Sequence, residues 1–254
     1  MRLFGVLNAS PDSLHADSIV RTADDAARRA EWLLTEGAWG FDVGGQGSTF
    51  AAGETTVDEE WERLEAVLPT LVDYGVPISV DTWRPETARR ALDLGVTWLN
   101  AADGLQQPEM LELVAERRCP VVLPFLSGPD PLRMEVVAET DPVQVILDFF
   151  DERLGVADEY DIRDLVVVDP GTGFAPHDWP WEQRFAYQQQ VYRALDRLRV
   201  FGLPLYVALP WKETDDHDLL LDLVIDGAPE YGRAHHPDRI LAAASARRSA
   251  SHER

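Results

Sequence analysis

Asp169 ends a run of aliphatic residues in LVVVDPGTGFAP (165–176) and opens a turn built from Pro170, Gly171 and Gly173. An uninterrupted apolar run reads as a strand buried on both faces. A carboxylate at its end, on a Pro/Gly turn, stands where a parallel α/β sheet places its chemistry. Asp before Pro is also an ordinary turn former, so the other strand ends have to supply the context. They carry Asn8, the turn after Asp42, Asp81, Asn100, Phe125, Lys212, and Arg233 with His235. Two carboxylates, two carboxamides and two fixed cations in one mouth suit a flat heterocycle with donor edges and an anionic group. Asp accepts a pair of hydrogen bonds from an amidine-like N–H edge, and Asn reads mixed donor and acceptor edges. Lys and Arg hold a carbonyl oxygen and a phosphate. Each residue also has a plainer reading. Asp81 with Thr82 would cap the helix that starts at Pro85, Asn100 would turn the chain, and Arg233 and His235 would be exposed.

Lys212 is the sharpest of these. Of the 23 basic residues all but this one are arginine, yet the lone lysine falls at the end of an apolar run. Arg does not replace Lys where a compact, single-point donor is required. No Ser-His-Asp or Cys-His arrangement is visible, so no enzyme nucleophile is expected.

The elements that must position these residues alternate. Strands are expected at 2–8, 39–45, 76–81, 96–104, 120–124, 165–174, 203–212 and 229–236. Helices are expected at 22–37, 57–75, 84–95, 108–118, 141–155, 181–202, 217–227 and 237–248, with a bend or break at Pro69. Strands joined by crossover helices form a parallel sheet. Eight such units make an α/β protein with a closed (βα)8 TIM barrel, a single domain over 1–248 followed by a disordered C-terminal tail, 249–254. An open doubly wound sheet is the alternative, but no GxGxxG opens the first helix. The long connections, 9–21, 44–56, 125–140 and 170–180, all follow strands and so lie on the C-terminal face of the barrel.

Composition narrows the partners. The 254 residues carry 45 acids and a formal net charge of −22, which argues against nucleic acid and anionic membrane. A strongly acidic protein that takes an anionic substrate needs a local cluster of cations in its pocket. The single Cys119 excludes an internal disulfide and reads as a buried, inert thiol. With no visible signal peptide and no apolar run of membrane-spanning length, a cytoplasmic setting is expected.

Seven segments, in order, resemble the dihydropteroate synthase family: GVLNASPDS (5–13), FDVGGQGST (41–49), SVDTWRPETARRAL (79–92), TWLNAADG (97–104), VVVDPGTGF (166–174), PWK (210–212) and YGRAHH (231–236). The resemblance implies a TIM barrel that condenses 6-hydroxymethyl-7,8-dihydropterin diphosphate with p-aminobenzoate. It implies that Asp81, Asn100, Asp169 and Lys212 hold the pterin, with Gly173 beside it. Asn8, Arg233 and His235 would hold the diphosphate, with Mg²⁺ neutralising it at Asn8. Lys212, Asp81 and Arg233 would be the catalytic set, and a homodimer is implied. The departures fall on the second-substrate side. QGSTFAAG lacks the family's loop arginine, Pro210-Trp211 replaces Ser-Arg, Ala101 replaces Asp, and Phe125 replaces His. A diverged paralogue using another amine, a pterin-binding methyltransferase, or a pterin-binding protein without turnover are the alternatives. Lys212 and Arg233 argue against the methyltransferase, which needs no diphosphate site.

Overall fold

The computed structural model describes all residues except 13–14, 48–52, 135–140, 175–178 and 253–254, and gives no side-chain surroundings for 250–252. Most of the altered QGSTFAAG loop lies outside the described residues. Among the described residues, strands β1 (Arg2–Asn8), β2 (Gly40–Gly44), β3 (Ile78–Thr82), β4 (Trp98–Ala101), β5 (Val121–Pro124), β6 (Val166–Asp169), β7 (Tyr206–Ala208) and β8 (Tyr231–Ala234) form one parallel sheet. Its order is β6-β5-β4-β3-β2-β1-β8-β7. A parallel bridge, Val168 to Leu205, joins the two outer strands and closes the ring. The expected TIM barrel is the fold observed.

Helices α1 (Ala23–Thr35), α2 (Val57–Glu65), α3 (Leu68–Val72), α4 (Pro85–Asp93), α5 (Pro108–Arg117), α6 (Pro142–Glu159), α7 (Trp181–Arg193), α8 (Leu195–Leu198), α9 (Asp215–Gly227) and α10 (Pro237–His252) surround the sheet. Their starts are written locally. Thr22, Thr56, Asp141 and Thr214 each cap a helix through the side chain, and Thr56 with Glu59 makes a capping box. Helices α4, α5 and α6 begin with proline, whose missing N–H costs nothing at that position.

The differences from the expected elements have physical causes. The helix expected over 57–75 breaks before Pro69 into α2 and α3. Strand β7 covers only Tyr206–Ala208, because Pro204 and Pro210 on either side cannot donate to the ladder. The last helix continues through His252, past the boundary expected at 248, since ASARRSAS contains no helix breaker.

Alternation along the strands sorts the core. Leu7, Phe41, Val43, Ile78 and Val80 face one set of helices, and Leu99, Val121, Leu123, Val166, Val168, Leu205 and Val207 face the other. Their neighbours in sequence point into the barrel. There Phe4, Trp98, Val122, Val167 and Tyr206 pack together, with Trp39 and Tyr231 against them. Phe4 meets Trp39 and Trp98 edge-on at centroid distances of 5.2 and 5.3 Å, a favoured aromatic geometry. This aromatic layer closes the barrel from below.

Candidate active site

Side chains two residues apart on a strand share a face. The barrel interior above the aromatic floor is therefore set by the residues two steps further on: Asn100 after Trp98, Asp169 after Val167, Arg233 after Tyr231 and Asp81 after Ser79. Asp42 reaches the same layer from β2. All these side chains are buried or nearly so: Asp42 is fully buried, and Asn100 and Asp169 are 3% and 5% exposed.

Arg233 joins them. Its Nε lies 2.9 Å from Asp42 Oδ2 and its Nη1 lies 2.8 Å from Asp81 Oδ2. One guanidinium thus ties β8 to β2 and β3, with the fork geometry that lysine lacks. Burial opposes its charge, but Asp42 and Asp81 outweigh that and hold Arg233 above the ordinary arginine range. Burial raises Asp42 to about 6, with Arg233 pulling it back and Asp81 pushing it up. Ser79 and Asn100 also favour the Asp42 charge. The Asn100 carbonyl oxygen itself is buried with no hydrogen-bond partner. That is an acceptor a ligand donor would satisfy, since an unmade buried bond is costly.

Asp169 is the acid without a cation of its own. Its Oδ1 accepts the Gly171 N–H at 2.9 Å. Burial raises its pKa to about 7, while the Gly171 bond and Arg233 work against the rise. Gly171 is demanded by the turn. Its φ is +67°, and a Cβ there would sit 2.1 Å from the Phe125 carbonyl oxygen. Gly173, the glycine expected to contact substrate, is less constrained: a Cβ would meet only Ala208 Cβ at 3.6 Å.

The turn after β3 is held from outside. Glu60 on α2 is fully buried and accepts from Thr82 Oγ1 at 2.9 Å, Thr87 Oγ1 at 2.7 Å and Arg84 Nη1 at 3.0 Å. A buried acid is tolerable when fully partnered like this. It fixes Thr82, next to Asp81.

The remaining expected residues stand on the rim of the same mouth. Asn8 Nδ2 donates to Ser18 Oγ at 2.7 Å, and Ser18 Oγ donates to the His15 carbonyl at 2.7 Å. The His15 ring stacks on His235 at 4.4 Å and meets Trp211 at 4.7 Å. The exposed Lys212 ammonium lies 5.3 Å over Trp211 and 5.9 Å over Trp181. The geometry therefore brings Asp81, Asn100, Asp169 and Arg233 together inside the barrel, with Asn8, Lys212 and His235 around its edge. Burial first, then His15 and Arg233, push the His235 imidazole down to about 2, which favours its neutral form. Arg233 faces the acids, not the outer rim.

Asp42 and Tyr206 are the interior residues that the sequence reading passed over. Tyr206 is fully buried, its hydroxyl has no hydrogen-bond partner, and burial followed by Asp42 pushes its pKa well up. A charged residue inside the short apolar run WGFDVGG was the available signal for Asp42.

Such a cup offers the acceptors of Asp169, Asp81 and Asn100 above a floor of aromatic rings, an arrangement suited to a planar group with several N–H donors. The comparisons agree with that chemistry. Residues 4–214 match the model of the family described as pterin binding enzyme. A probable bifunctional folylpolyglutamate synthase/dihydropteroate synthase of Haloferax volcanii is 37% identical over 175 residues, 68% of this chain and 21% of that protein. The chain thus spans about a fifth of the length of that relative. A dihydropteroate synthase of a Synechocystis species is 29% identical over 81% of this chain and 70% of its own length. Among solved structures, the dihydropteroate synthase of Yersinia pestis superposes with a TM-score of 0.84 at 25% identity, covering 98% of this chain and 94% of that one. The enzyme from Thermus thermophilus, in complex with 4-aminobenzoate, is 27% identical with a TM-score of 0.77, over 98% and 93%.

Proposed function

The chain belongs to the pterin-binding enzyme family, and we propose that it is a dihydropteroate synthase. It condenses 6-hydroxymethyl-7,8-dihydropterin diphosphate with p-aminobenzoate, giving dihydropteroate and diphosphate as a step of folate biosynthesis. The observation that carries this reading is the buried set of Asp42, Asp81, Asn100, Asp169 and Arg233 above an aromatic floor. Its carboxylate and amide acceptors suit the N–H edge of a pterin, and the aromatic floor suits its flat ring.

In this reading Asp169 and Asn100 take the N–H edge of the pterin, and Lys212 at the rim donates to its carbonyl oxygen or ring nitrogen. The bond between the pterin methylene and the diphosphate oxygen breaks as the arylamine nitrogen bonds to the methylene. The electron pair leaves with diphosphate and the amine loses one proton. The carboxylates inside the cup stabilise positive charge developing at the methylene, and the cations stabilise the leaving group. No covalent bond to the protein is required. Mg²⁺ would be held at Asn8 on the rim, whose amide carbonyl is a hard oxygen of the kind that ion takes. When bound, Mg²⁺ neutralises charge on the departing diphosphate. We place the enzyme in the cytoplasm as a homodimer acting on small molecules, with no nucleic-acid partner at a net charge of −22. None of the described helices is long and apolar enough to cross a membrane.

One observation favours a second reading, condensation with a different arylamine. The start of α9, beside Lys212, carries Asp215, Asp216 and Asp218, a poor neighbourhood for a substrate carboxylate. Incubating the protein with the pterin diphosphate, Mg²⁺ and p-aminobenzoate, and detecting dihydropteroate by mass, separates the two. Product supports the synthase. Diphosphate release without that product supports the other amine, and neither would remove both.

A further inference from the structure

Three of the six histidines of the chain gather at one point on the rim. His15 comes from the connection after β1, and His235 and His236 from the connection after β8. The His15 ring lies 4.4 Å from His235, nearly parallel, and 5.0 Å from His236, tilted by 54°. Asp17, two residues after His15, reaches the same place. One donor atom each from His15, Asp17 and His236 lie within 4.8 Å of one another, the one such group of metal-ligand type among the described residues.

We propose that His15, Asp17 and His236 form a binding site for a divalent transition metal of the zinc class, separate from the Mg²⁺ expected at Asn8. Two imidazoles and a carboxylate are the donor set such ions prefer, whereas magnesium takes oxygen. Bound donors at zinc lie about 2.0–2.2 Å from the ion, hence roughly 3.3 Å from one another. Asp17 is exposed and both histidines are only partly buried, so the ion has an entry path and keeps positions for water. His235 stacks flat against His15 and fixes the plane of that ring.

The electrostatics allow a dication. Arg29 is the nearby fixed cation: it donates to the His235 carbonyl at 2.6 Å and stacks over Trp32 at 4.4 Å. Asp17 and Asp238 both act on Arg29, so two carboxylates face one guanidinium before an ion enters. The metal would clip the β1 connection to the β8 connection, two loops far apart in sequence that carry Asn8 and Arg233 at their roots.

The test uses the full chain, stripped with chelator and titrated with ZnCl₂ by calorimetry and with CoCl₂ by visible absorption. One equivalent of Zn²⁺ should bind, and Co²⁺ should give the intense visible bands of a low-coordinate nitrogen-ligated site. Excess Mg²⁺ should displace neither. The double variant His15→Ala/His236→Ala, checked as folded by circular dichroism, should lose about 100-fold or more in Zn²⁺ affinity, at least the upper end of what outer-sphere substitutions cost. Asp17→Asn should lose affinity while leaving the fold intact. His217→Ala, which removes a histidine on α9, should bind like the parent. Absence of Zn²⁺ binding, binding unchanged in the double variant, displacement by Mg²⁺, or loss of binding in His217→Ala would each overturn the site.

Discussion

Arg233 Nη1 lies 2.8 Å from Asp81 Oδ2, inside the barrel. The last strand and the third are therefore pinned together by the side chains that would face a substrate. The same guanidinium holds Asp42, so Arg233 is the neutraliser of two buried acids and, in the proposed reading, also the cation a ligand would meet. A substrate whose N–H groups satisfy the acids would compete with the arginine for them and turn its charge toward an anionic leaving group.

Replacing Arg233 tests the first role. Breaking a buried ion pair by removing one partner costs about 3–5 kcal/mol. Arg233→Ala should lower the melting temperature sharply. The loss should be larger at pH 8 than at pH 5, because Asp42, which burial raises to about 6, is protonated at the lower pH and no longer leaves an unpaired charge. Arg233→Lys should recover only part, since one ammonium cannot fork between two carboxylates. Equal destabilisation at both pH values would contradict the pairing.

Asp169 carries a pH prediction of opposite sign. Its folded pKa of about 7 exceeds the ordinary 3.8, so the folded state keeps a proton that the unfolded chain has released. Stability from this group falls as pH rises from about 4 to about 7 and then levels, by at most a few kcal/mol. Asp169→Asn removes that decline. The variant should melt higher than the parent at pH 8 and about equally at pH 4, while losing pterin affinity, because an amide cannot accept a bidentate pair. Melting curves across that range, with pterin titration by calorimetry, check both parts.

The two glycines of the turn should separate. Gly171→Ala places a Cβ against the Phe125 carbonyl at a positive φ, a backbone state costing a non-glycine residue about 1–3 kcal/mol before the clash is added. It should destabilise the chain and displace Asp169, weakening pterin binding. Gly173→Ala meets only Ala208 at contact distance and should leave the melting temperature almost unchanged. Pterin affinity in that variant then reports whether the ligand passes over Gly173.

Lys212 is exposed, with its ammonium over two indoles. Lys212→Ala should change stability by less than about 1 kcal/mol, as exposed cation–π contacts are weak. It should nonetheless weaken binding of the pterin diphosphate strongly in calorimetry. Undiminished binding would remove Lys212 from the site.

Much of this was legible in the chain. Apolar runs of strand length, each ending in a polar residue and followed by a capped helix, are local signals, and they fixed the barrel and the strand-end positions of Asp81, Asn100, Asp169 and Arg233. Segment order carried the family resemblance in the same way. Other features needed the closed barrel. A strand buried on both faces has no polar side to reveal its parity, so sequence could not tell that Asp42 and Tyr206 point inward. The choice of Arg233 to face Asp42 and Asp81 depends on β8 lying beside β1 and across from β3. The meeting of His15 with His235 and His236 likewise depends on ring closure, which brings the first and last connections side by side. Local chemistry wrote the elements and their polar ends; long-range strand pairing decided which of those ends touch, because contacts between distant residues exist only once the ring has closed.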